Sequence, residues 1–171
     1  MNVDDELAAI AALRTAGDLA AAHVRATDLA RAHPHDVRVA MAAAFACDRI
    51  GLERDAIVHY ERAWELGVPA AERPGFVLGL GSTLRNVGRA DDAVTRLAEA
   101  TAEYPDHAAL RAFLALALHS AGHPTLALAT MLETALAVAG PGADGFGQYA
   151  RALAEYQAEL VAAALGERRP G

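Results

Sequence analysis

Four glycines recur along this chain at nearly one interval: Gly17, Gly51, Gly88 and Gly122 are 34, 37 and 34 residues apart. A fixed period of this length marks a repeated supersecondary unit and restricts the fold more than any single motif does. Alanine follows each glycine by five residues, as Ala22, Ala56, Ala93 and Ala127, and proline follows two of them by seventeen, as Pro34 and Pro105. Each glycine sits in a short polar turn, "TAGD", "RIGLERD", "NVGRADD" or "SAGHPT", with helical apolar periodicity on both sides. Glycine accepts the left-handed backbone that ends a helix. Asp18, Asp55, Asp91, Asp92 and Pro124 suit the start of the next one. Each period therefore predicts a helix, a tight turn and a second, antiparallel helix.

Composition agrees. Apolar residues make up 54% of the chain but aromatics only 5%. The apolar content is thus mostly alanine and leucine, which favour helices, and the strand-forming residues are scarce. Helices are expected over about 3–15, 19–32, 36–49, 53–66, 71–87, 90–103, 106–121 and 124–138, and "QYARALAEYQAELVAAAL" predicts a ninth ending near Leu165. The expected fold is all-α: a right-handed α-solenoid of four helix-turn-helix repeats plus a C-terminal capping helix. The chain reads as one domain over 1–165, with repeats at about 3–34, 36–68, 71–105 and 106–138, a capping helix at about 147–165 and a flexible tail over 166–171.

Gly81 lies seven residues before the turn glycine Gly88, where the other repeats have Ile10, Ala44 and Ala115. Small residues there and five after the turn would let the two helices of a hairpin approach closely, which offsets the cost of about 1 kcal/mol of glycine against alanine in a helix. The first repeat departs from this rule with Ile10, and again with Leu29 where later repeats have Ala63 and Ala100.

A net charge of -7 would repel a phosphate backbone, so nucleic acid is not an expected partner. One cysteine, Cys47, allows no internal disulfide. The acidic start "MNVDDELAAI" lacks the basic region of a signal peptide, and every apolar run is interrupted by charges before it could span a membrane. A cytoplasmic protein with no membrane attachment is the expectation.

The helix-turn-helix pattern resembles the tetratricopeptide repeat over residues 3–138, with Leu80, Gly81, Leu84, Ala93, Leu97, Ala100 and Pro105 matching its signature in the third repeat. The leading aromatic of that signature is replaced by Ala40, Val77 and Arg111. "LGLGSTLRNVGRADDAV", "LRAFLALALHSAGHPTLAL" and "YARALAEY" are similar to a bacterial group of these proteins, tetratricopeptide repeat group five. The resemblance implies a protein-binding module with no catalytic residues and no cofactor, whose first helices line a concave groove.

In that geometry the groove would be floored by Met41, Phe45, Leu78 and Leu116 and striped by Arg14, Arg49, Arg85 and His119, with Ser82 and Asn86 between them. Asp4 and Arg38 belong to the same inward set. The first helices of the pairs are less acidic than the second, so the inner layer suits an acidic protein or peptide, and arginine binds both oxygens of a carboxylate at once. The partner is therefore expected to be a protein or peptide, with self-association through the alanine-rich last helix as the alternative.

Other motifs read as structural. His33 and His35 flank Pro34, and His119 and His123 are separated by a helix end, so neither pair suits a metal. Cys47 reads as a small core filler with no histidine nearby in sequence to activate it. "GPGADG" fits a dinucleotide motif at Gly140, Gly142 and Gly145, but it follows a helix rather than a strand and reads as a linker. Trp64 is expected to pack between the second and third repeats, and Arg151 to pair with Glu155 on a helix surface.

Overall fold

The computed structural model describes residues 2–139 and 147–166. The described residues are almost wholly helical and contain no strand. They form α1 (Val3–Thr15), α2 (Leu19–Ala32), α3 (Val37–Arg49), α4 (Glu53–Leu66), α5 (Arg73–Asn86), α6 (Ala90–Glu103), α7 (Ala108–Ser120), α8 (Pro124–Ala139) and, after a 3-10 turn at Gly147–Tyr149, α9 (Ala150–Gly166). The all-α expectation holds, and the ends of α1–α8 fall within two residues of the sequence reading; α9 starts at Ala150, after the 3-10 turn, and takes in Gly166, expected as the first residue of the tail. The glycine motif at 140–146 and the tail at 167–171 lie outside the described residues.

The turn chemistry explains this agreement. Gly17, Gly51, Gly88 and Gly122 all have positive φ, between 77° and 85°. At Gly17 the Gly17 N–H donates to the Arg14 carbonyl and the Asp18 N–H to the Leu13 carbonyl, the paired bonds of a helix-ending glycine motif; the same pattern recurs at Gly51 and Gly122. The Asp18 side chain then accepts from the Ala21 N–H and starts α2. Small differences have local causes. Asp36, expected inside α3, stands just before it and accepts from the Arg38 N–H, as a capping carboxylate does. Residues 71–72 form a turn, and α5 begins at Arg73 with Pro74 in its first turn, where no N–H is needed.

The helices divide into two compact units, 1–87 and 88–171, with the boundary at the Gly88 turn. In the first unit each helix packs on the next, from α1 to α5, and the first helices also touch: α1 against α3, and α3 against α5. Ile10, Ala22, Ala26, Leu29, Val39, Ala43 and Ala46 form a continuous core. A second core is aromatic: Phe45, Tyr60 and Phe76 meet edge to face with centroids 5.2–6.3 Å apart. Trp64 of α4 stacks on Phe76 of α5 at 6.3 Å, so it packs between the second and third repeats as expected. In the second unit α6 packs on α7, α7 on α8 and α8 on α9.

The small-residue rule at the hairpins is visible in burial. Ala44 and Ala56 of the α3–α4 hairpin are both fully buried, and Ala115 and Ala127 of α7–α8 are buried at 3% and 7% exposure. The first hairpin uses Ile10 and Leu29 instead and still buries both. Gly81 is buried in α5, but the steric demand for glycine in that helix is clearest two residues earlier. A Cβ at Gly79 would run into the Tyr60 hydroxyl, with Tyr60 Cζ only 3.0 Å away. Ala40 and Val77, which replace the signature aromatic, lie in the core at 5% and 0% exposure, while the Nε of Arg111 is buried with no hydrogen-bond partner among the described residues.

Candidate functional site

Of the groove residues predicted on α1 and α3, Arg14, Phe45 and Arg49 line the same cleft, and Met41, Asp4 and Arg38 do not. Leu7, Ala11 and Arg14 from α1 and Phe45, Ala46 and Arg49 from α3 line one cleft, closed beneath by Ile10 and Ala22. Its volume is about 70 Å³. Helical spacing accounts for the α1 wall, since Leu7, Ala11 and Arg14 are four and three residues apart and share a face. Contact between α1 and α3 brings the second wall against the first.

The charges of this unit are not equivalent. Arg25 binds the buried Glu6 through two bonds, Nε to Oε2 at 2.6 Å and Nη2 to Oε1 at 3.2 Å, tying α2 to α1. The hydrogen bond from Arg25 holds the Glu6 carboxyl below its ordinary pKa. Arg38 bridges Asp36 and Asp4 at 2.7 and 2.6 Å, so two members of the inward set neutralise each other, and both carboxylates raise the Arg38 pKa. Arg31 pairs with Asp28, and Arg62 with Glu65. Arg14 and Arg49 are exposed and pair with no carboxylate among the described residues.

The remaining predicted residues occupy different environments. Met41 is 4% exposed: α3 packs against both α1 and α5, and the thioether is covered in the core instead of forming a floor. Phe45 is half-buried, with its ring on Tyr60 and Phe76 and part of its surface in the cleft. Leu78 and Ser82 of α5 are half-buried, and Arg85 donates to the Asn86 side-chain oxygen at 3.2 Å. Leu116 and His119 belong to the second unit, on α7, where Leu116 is 42% exposed and His119 is exposed.

Two arrangements escaped the sequence reading. Asp48 accepts from the Tyr60 hydroxyl at 3.2 Å, and the Thr83 hydroxyl lies 3.1 Å from its other oxygen and 2.8 Å from the Gly79 carbonyl. This network joins α3, α4 and α5 behind Phe45. Burial, with Asp48 beside it, pushes the Tyr60 phenol far above its ordinary pKa, so the hydroxyl stays a donor. The second concerns Cys47. No histidine is near it in sequence, but the fold brings His23 Nδ1 of α2 to 3.6 Å from its sulfur. The thiol is fully buried, and burial, reinforced by Asp55 and Asp48, pushes its pKa up to about 11. A buried thiol with a raised pKa stays largely protonated near neutral pH, which suits a packing position.

A wider recess of about 450 Å³ in the same unit is lined by residues of α2, α3 and α4 and the turn after α2, with Ala30, His33, Ala40, Val58, His59 and Arg62 among them. Its charges are engaged: Arg62 donates to the Pro34 carbonyl at 3.0 Å, meets His35 Nδ1 at 2.7 Å and pairs with Glu65. Among the described residues no cluster of three or more histidine, cysteine or acidic side chains is arranged to hold a metal ion, and no helix is long and apolar enough to cross a membrane. Arg151 and Glu155 form the expected surface pair at 3.1 Å.

The model of a family described as tetratrico peptide repeat matches residues 37–160. That stretch runs from the start of α3 into α9 and leaves out the first hairpin, the one whose Ile10 and Leu29 depart from the small-residue rule. No curated protein matches the sequence. With the glycine-capped hairpins, the buried alanines at their crossings and a family match over most of its length, the chain belongs to the tetratricopeptide repeat proteins of group five, a family of helical-repeat interaction modules.

Proposed function

We propose that this protein is a non-enzymatic interaction module that binds a carboxylate-bearing protein or peptide segment on the face formed by α1, α3 and α5. One observation carries this reading. Arg14 and Arg49 pair with no carboxylate among the described residues and meet at one apolar cleft, in a unit where Arg25, Arg31, Arg38 and Arg62 hold carboxylates and Arg54, which has no such pair either, does not line the cleft. A guanidinium at a binding surface gains most when it meets a carboxylate in a two-bond fork. Leu78, Ser82, Arg85 and Asn86 extend the candidate binding residues to α5, and Leu116 and His119 of the second unit's α7 are candidates taken by themselves. No cofactor enters this reading.

The test compares partner capture by the wild-type chain and by the Arg14→Gln/Arg49→Gln variant, with helicity measured on both. Both side chains are exposed, so the variant keeps its fold, and its capture of the partner falls at least about tenfold. Unchanged capture would reject the arginines as recognition groups.

A second reading, self-association through the C-terminal helices, draws on α8 and α9. Leu128, Met131 and Val138 share one side of α8 and are 57%, 37% and 68% exposed, and Tyr156 and Leu165 of α9 are 57% and 59% exposed. Apolar side chains grouped at this density on a helix face are a common feature of protein contact surfaces.

A further inference from the structure

We infer that the seam where the first hairpin (α1 and α2) docks on the second (α3 and α4) is a pH-sensitive joint, held closed by neutral imidazoles and released when they take up protons. Four of the chain's seven histidines gather there: His23 on α2, His33 and His35 in the turn after it, and His59 on α4. Two contacts across the seam present a donor to an imidazole nitrogen. Arg62 Nη2 lies 2.7 Å from His35 Nδ1, and a guanidinium can only donate, so Nδ1 accepts and the ring is neutral. Cys47 Sγ lies 3.6 Å from His23 Nδ1, and the buried thiol keeps its proton, so the S–H donates and His23 accepts. A protonated imidazole carries hydrogen on both nitrogens and accepts from neither donor. His59 is half-buried beside the same seam, within electrostatic reach of His23.

These contacts matter because the apolar part of the seam is thin. The joint between the second and third repeats is fixed by Phe45, Tyr60, Trp64 and Phe76, whose rings lie 5.2–6.3 Å apart. Aromatic side chains bury roughly 150–250 Å² each. At the first joint α3 offers Val39, Ala43 and Ala46, which bury far less. The groups facing His59 are mixed in sign. His23 of α2 opposes its protonation, Asp55 of α4 favours it, and Cys47 of α3 is a neutral thiol with Asp48 next to it. Arg31, His33, Glu61, Arg62 and Glu65 line the recess that His59 shares. Burial is the largest effect and holds the His59 pKa below its ordinary value. Release hydrates the ring and restores that value, so proton uptake favours the released state. Docking is full above the ordinary imidazole pKa, about 6.5, and weakens as pH falls below it. The two Arg25 bonds to Glu6 tie α1 to α2 and lower the Glu6 pKa, so the hairpin leaves as a unit. Release also parts Arg14 from Arg49, and that consequence alone rests on the proposed binding face.

Cys47 is the chain's single thiol and is buried against α2, so its labelling reports release. The experiment measures how fast dithiodipyridine labels Cys47 in the full chain from neutral to mildly acidic pH. Each rate is divided by that of the urea-unfolded chain at the same pH, which removes the thiol's own pH dependence. Trp64 fluorescence, which reports the aromatic joint, and helicity are followed in parallel. The relative rate rises about tenfold as pH falls while both signals hold, because one linked proton gives up to about tenfold per pH unit. The His35→Gln/His59→Gln variant, with no proton to take up at either position, loses most of that rise. Its helicity at neutral pH checks that it folds, and His59→Gln by itself, which loses part of the rise, replaces it if it does not. A relative rate that stays flat with pH, or rises only as the Trp64 signal is lost, overturns the joint, and so does a rise that the variant leaves unchanged. If the rise occurs as expected while partner capture ignores Arg14 and Arg49, the joint stands and the binding face fails; if the rate stays flat while capture needs both arginines, the face stands and the joint fails.

Discussion

Gly79 and Gly75 sit one turn apart on α5 and should respond oppositely to the same substitution. A Cβ at Gly79 collides with the Tyr60 hydroxyl, while one at Gly75 meets nothing within 4 Å. Gly75→Ala therefore gains helix propensity, up to about 1 kcal/mol. Gly79→Ala gains the same propensity but displaces the ring that donates to Asp48, with a net loss of about 1–3 kcal/mol. Urea unfolding of the two variants checks the difference in sign. Neither effect is legible in the sequence. Gly79 and Tyr60 are nineteen residues apart with no periodic signal linking them. The same holds for His23 and Cys47, whose contact depends on α2 and α3 packing side by side. Sequence could name Arg14, Arg38 and Arg49 as inward residues, but the ion pairs that silence Arg38 and leave the other two free follow from the placement of Asp4 and Asp36.

Elements were the most legible level, because each hairpin is bounded by a glycine that ends one helix and a group that starts the next. Where the reading missed by a residue or two, at Asp36 and at Arg73, a capping side chain or a proline set the true start. The packing between elements also makes stability depend on pH. Burial lowers the pKa of His59 on α4, His23 of α2 lowers it further, and Asp55 one turn away partly opposes both. A folded pKa below the unfolded one, about 6.5, means that the unfolded chain takes up the proton first. Stability is therefore full above that value and falls as pH drops below it. Glu6 and Asp36, whose folded pKa values are lowered by arginine hydrogen bonds, add a second loss at more acidic pH, as each falls through its folded value. Thermal melts between neutral and mildly acidic pH should show the first loss, and His59→Gln should flatten it while leaving the acidic limb. Among the C-terminal elements, the apolar side of α8 predicts a concentration-dependent dimer by light scattering, which Leu128→Glu with Val138→Glu should convert to a monomer. A wild-type chain that stays monomeric at every concentration would reject self-association.

At the scale of the whole molecule, periodicity carried the fold and charge placement carries the functional reading. The repeat period, the buried small residues and the family match describe the same scaffold. What such a scaffold recognises depends on a handful of side chains at its surface, and the period does not constrain these. The central claim, that a partner is engaged at the α1–α3 cleft, can be tested without knowing the partner. A photoreactive phenylalanine derivative is placed at Ala11, which lines the cleft, and separately at Val24 of α2, which is 58% exposed and does not line it. The account predicts a discrete cross-linked product from position 11 in cells and none from position 24. Cross-linking from position 24 with none from position 11 would contradict it.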